Sequence, residues 1–117
     1  MKVRKRNRDE LHSMCTEQLA QRVKLGDQLA TPREVDHTAF FGKRGDAKAA
    51  AEELSRSGFT VHVSRRGFGT YLVEASATTD VEWDTVDEFV DAVFEIVNRH
   101  NGVYDGWGGG VVLRSAP

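Results

Sequence analysis

The apolar positions of the chain change period several times, and each change marks an element. In residues 8–25, Leu11, Met14, Cys15, Leu19 and Val23 recur at helical spacing, with Gly26 as a stop and Pro32 against a long continuation. Val35 to Phe41 reads as a strand, and Asp46 is placed to cap a helix carrying Ala47, Ala50, Ala51 and Leu54 on one face. Phe59, Val61 and Val63 then alternate with Thr60, His62 and Ser64, the pattern of a half-buried strand. Arg65-Arg66-Gly67-Phe68-Gly69 follows as a hairpin loop, and Tyr71, Val73, Ala75 and Ala77 continue with period two. The strongest helical stripe is Val86, Phe89, Val90, Val93, Phe94 and Val97, capped by Asp84 or Thr85 and closed by Asn101-Gly102. Val103 to Leu113 gives a last extended segment interrupted by glycines.

The order after the first helix is β-α-β-β-α-β. The helices have one apolar face each and the strands alternate, so a two-layer α+β sandwich buries every apolar side. With right-handed crossovers this is the ferredoxin-like arrangement, carrying an extra N-terminal helix. Residues 1–32 are expected to form a basic arm, a helix and a linker, and residues 33–117 the sandwich domain. A length of 117 residues suits one such core. No apolar run approaches the roughly 18 residues of a membrane span. The basic start runs into Asp9 and Glu10 rather than an apolar stretch, so no export signal is expected and the location is read as cytoplasmic.

Charge changes this picture more than composition does. Residues 1–25 carry seven Lys/Arg against three carboxylates, and the remainder nine against fifteen. From Glu74 to Asp105 there are nine carboxylates and only Arg99 opposes them. Such a face repels nucleic acid and attracts a basic protein surface.

Enzyme signatures fail one after another. No phosphate-binding loop, zinc-helix motif or nucleophile elbow is present. His37, His62 and His100 fall on different elements without ligand spacing, and Cys15 is alone, so no metal and no cofactor are expected. Arg66-Gly67-Phe68-Gly69 matches the opening of an RNA-recognition signature before the third strand. Its continuation fails, because Thr70 and Val73 stand at the later positions and Asp36 lies where a stacking aromatic is wanted. Arg65, Arg66 and Phe68, with the arm Lys2–Arg8, are the candidate contacts of an alternative reading as a nucleic-acid-binding module.

Tyr104-Asp105-Gly106-Trp107-Gly108 is the other distinctive run, with Trp107 and Asp105 sharing a strand face by simple alternation. Placed directly after an amphipathic helix ending Asn-Gly, it resembles the signature of the regulator of ribonuclease activity B (RraB) family. The resemblance covers about residues 33–113. It implies a ferredoxin-like fold and a non-enzymatic protein that binds ribonuclease E, an endoribonuclease, and restrains its cleavage of RNA. The expected partner-binding residues are Asp84, Glu88, Asp91 and Glu95 on the last helix, with Tyr104, Asp105 and Trp107 on the edge strand.

Overall fold

Residues 5–114 are described by a computed structural model. In chain order the elements are α1 (Arg8–Lys24), β1 (Arg33–Phe41), α2 (Arg44–Arg56), β2 (Thr60–Arg65), β3 (Tyr71–Thr79), α3 (Trp83–Arg99) and β4 (Val103–Gly109). The four strands form one sheet in the order β2-β3-β1-β4, and every neighbouring pair is antiparallel. This is the ferredoxin-like sheet. β1, at its centre, puts Val35, His37, Ala39 and Phe41 under the helices and leaves Glu34 and Asp36 on the open face. The period-two alternation of its sequence therefore reaches the three-dimensional structure unchanged.

α2 docks through Ala47, Ala50 and Leu54, whose small side chains permit close approach. α3 docks through Val86, Val90, Val93, Ile96 and Val97. Phe94, expected within that stripe, is half-buried and lies under the Arg8 guanidinium, 5.8 Å from its ring centroid. α1 packs beside α3 and adds Leu11, Cys15 and Leu19 to the same core. Its apolar stripe does not run as the spacing suggests. Met14 and Val23 are exposed, and Arg22 is buried in their place.

The helix starts also differ from expectation. Asn7 caps α1 by accepting a hydrogen bond from the Glu10 backbone N–H at 2.8 Å. Asp46 lies inside the first turn of α2 instead of capping it. α3 begins two residues before Thr85, at Trp83, with Glu82 as its N-cap. No side chain caps α3; Asp80 accepts from the Glu82 backbone N–H at 3.0 Å and so fixes the turn that leads into the helix.

β4 holds the largest departure. Thr38 pairs with Gly106 but Ala39 pairs with Tyr104, which leaves Asp105 as the extra residue of a β-bulge. Gly106 takes a φ of 117°, a conformation that glycine adopts without strain. The bulge inverts the simple alternation. Tyr104 and Trp107 both face the helices, and Asp105 is left in solvent. The strand ends at Gly109, and beyond it Leu113 forms an isolated bridge to Asp27.

The segment between α1 and β1 is tied down by Asp27, whose side chain has 0% exposure. It accepts from Arg33 at 2.6 Å and 2.8 Å and from Arg22 at 3.0 Å. Those two guanidiniums also donate to the carbonyls of Gly109 and Gly110, so one buried cluster joins α1, β1 and the end of β4. Burial pushes the Asp27 carboxyl up, but hydrogen bonds from Arg33, the Val112 backbone and Arg22 outweigh it and hold the group below its ordinary value.

Candidate functional site

The five carboxylates of α3 divide into two sets. Asp87, Asp91 and Glu95 face the start of α1, where Arg8 and His12 meet them. His12 Nε2 lies 2.8 Å from Asp91 and its Nδ1 3.5 Å from Asp87. Arg8 reaches Glu95 at 3.2 Å and Asp91 at 3.5 Å, and Arg6 reaches Asp105 at 3.0 Å. All these groups remain partly exposed, where an ion pair contributes about 0–1 kcal/mol. Arg6, Arg8 and His12 thus cover one flank of the acidic helix in cis. Asp84 and Glu88 lie on the other flank and form no ion pair among the described residues.

Beside Glu88, a hollow of about 320 Å³ opens between α3 and the β1–β3 side of the sheet, with Val35, His37, Phe59 and Phe89 among its walls. His37 is 2% exposed, and the rings of Phe59 and Phe89 meet it edge-on at 5.5 Å and 5.1 Å. Burial lowers its pKa to about 4, so it is neutral near pH 7. His37 Nδ1 lies 2.7 Å from the Tyr104 hydroxyl. That hydroxyl is buried with this nitrogen as its partner, so the arrangement that satisfies its hydrogen has Tyr104 donating to Nδ1. Burial pushes the Tyr104 phenol up, which keeps it a donor.

Trp107 is 9% exposed. Phe89 stacks edge-on against it at 5.2 Å, Arg22 lies over it at 5.0 Å, and Gln18 donates to its carbonyl at 3.2 Å. Tyr104 and Trp107 are therefore buried beneath the carboxylates rather than exposed on the edge of the sheet. Asp84, Glu88, Asp91, Glu95 and Asp105 stand at the surface above them. Cys15, next to Trp107, is buried, and desolvation pushes its thiol up, which leaves it inert.

The sequence-predicted RNA contacts lie elsewhere. Phe68 is 97% exposed at the tip of the β2–β3 hairpin, not on the sheet. Gly67 and Gly69 flank it with φ of 75° and 72°, and the Arg66 N–H donates to Thr70 at 2.8 Å. Lys2 and Arg4 of the arm lie outside the described residues. The open sheet face carries Glu34, Asp36 and Glu74 around His62, the opposite of a base-stacking platform.

His37, His62 and His100 do not converge. His37 faces the helices, His62 the open side, and His100 pairs with Glu53 at 3.0 Å. Among the described residues no group of three or more ligating side chains could hold a metal ion. Sequence reasoning missed the Arg6, Arg8 and His12 contacts and the His37–Tyr104 pair. The basic run was visible as charge, but nothing local named the carboxylates it meets.

No helix among the described residues is long and apolar enough to cross a membrane. A search of curated proteins gives no significant match. The family model described as regulator of ribonuclease activity B matches residues 14–109, which includes most of α1 and every later element. The chain belongs to the RraB family, whose name describes regulation of ribonuclease activity.

Proposed function

We propose that the protein binds an endoribonuclease of the ribonuclease E type and restrains its cleavage of RNA by contact, without catalysis of its own. Family membership over residues 14–109 carries this reading. The surface supports it. Asp84 and Glu88 are exposed carboxylates without a cationic partner among the described residues, and Glu88 lines an apolar hollow. A basic segment bearing one apolar side chain satisfies both features, and charge complementarity of this kind sets encounter rate and partner choice. Asp91, Glu95 and Asp105 join the contact when the partner's cations replace Arg6 and Arg8. Tyr104 and Trp107 hold the floor beneath it.

The test is a cleavage assay with a purified ribonuclease E-type enzyme and a defined RNA. Adding the chain should slow cleavage in proportion to complex formed. Unchanged rates, with no complex at micromolar concentrations, would refute the reading.

A further inference from the structure

At the opposite end of the sheet from Asp84, the first turns of α2 meet the ends of β2 and β3 around a second hollow, of about 360 Å³. Its walls are Arg44, Lys48, Arg65, Ser64, Val63 and Tyr71. Elsewhere Arg6, Arg8, Arg22, Arg33 and Arg99 meet carboxylates, and the remaining described cations, Lys5, Lys24, Arg56 and Arg114, are scattered along the chain rather than grouped around a hollow. Here Arg44, Lys48 and Arg65 have no ion pair among the described residues, and Lys43 and Arg66 flank them in the same state. Like charges crowded in a concave site raise its potential and make it receptive to an anion. The hairpin adds a second, independent feature. Phe68 stands free in solvent, held there by a loop whose two glycines permit the tight turn. It is three residues from both Arg65 and Tyr71, so about 10 Å separates it at most from the hollow's rim.

We propose that this end binds single-stranded RNA, with the backbone phosphates in the Arg44–Lys48–Arg65 hollow and a base stacked on Phe68. A positive groove paired with an exposed aromatic is the general way single strands are held without sequence preference. Two features favour RNA over an anionic membrane. The cations line a concavity rather than a plane, and a single phenylalanine on a tight hairpin supplies little apolar area for insertion. The site is separate from the acidic helix and does not depend on the ribonuclease contact proposed above.

Fluorescence anisotropy of the full chain with labelled oligouridylate and oligoadenylate tests it. Saturable binding is expected at low salt, weakening as salt rises with a logarithmic slope of about −2, the value for roughly three phosphate contacts on a single strand. Phe68→Ala should weaken it about tenfold, the lower part of the range for one stacked base. Arg44→Glu with Arg65→Glu should weaken it at least tenfold, and Lys48→Glu, on an exposed helix position, serves if the hairpin variant melts early. Binding that survives both kinds of change would place RNA elsewhere and overturn the assignment. So would absence of RNA binding, including the case in which vesicles of anionic phospholipid are bound instead.

Discussion

At the residue scale, His37 gives the protein a pH dependence of known sign. Its folded pKa of about 4 lies below the ordinary value of 6.5, so the unfolded chain takes up the proton first. Stability from the neutral imidazole is full above pH 6.5 and is lost as pH falls toward 4, to a total of roughly 3 kcal/mol. Urea unfolding across this window should show the decline, and His37→Gln should flatten it. A wild-type curve as flat as that of the variant would contradict the burial of a neutral ring. Asp27 acts in a lower window, because its depressed carboxyl withdraws stability only as pH falls below the ordinary carboxylate range. Gly102 offers a different test. A methyl group there would overlap the Phe41 ring and Val97, while one at Gly45 would meet nothing within 4 Å. Gly102→Ala should cost roughly 1–3 kcal/mol in a melt, as overpacked cores do. Gly45→Ala, inside α2, should be neutral or stabilising by up to about 1 kcal/mol.

At the element scale, the buried cluster around Asp27 holds α1 to the sheet. Asp27→Ala would leave Arg22 and Arg33 buried without their carboxylate, and should cost about 3–5 kcal/mol in chemical unfolding. Arg8→Ala, which removes exposed ion pairs and the guanidinium above Phe94, should cost about 1 kcal/mol, well below the Asp27 loss. Equal losses would show that the cluster is not the stronger tie. These elements also show what a sequence reveals of itself. The strands and helices of the sandwich were legible because period two and period 3.6 are local signals that burial enforces. The face of α1 was misread because Arg22 is buried only with Asp27 and the carbonyls of Gly109 and Gly110, partners that no spacing announces. In β4 the glycines marked an irregularity. The bulge at Asp105 then moved Trp107 to the buried side, and only pairing with β1 decides that. Of the candidate site, the acidic residues were legible as charge. Their division into paired and unpaired sets was not, because it depends on where α1 docks.

At the scale of the whole molecule, charge is sorted along the sheet. Among the described residues, carboxylates without an ion pair stand at the α3 start, cations without one at the α2 start, and Arg6 and Arg8 lie across the acidic flank. Because Arg6 and Arg8 occupy Asp105, Asp91 and Glu95, they compete with any basic partner for those groups. Replacing both with serine should tighten partner binding several-fold without changing the fold. The measurement that bears most directly on the acidic surface is the dissociation constant for a purified ribonuclease E-type enzyme. It should be compared between the wild-type chain and an Asp84→Lys, Glu88→Lys double variant, with melting curves for each. Both positions are exposed, so the melting temperature should hold while affinity falls at least tenfold. Equal affinity of the two proteins, or no measurable affinity of the wild type, would contradict the assignment of that surface to the ribonuclease.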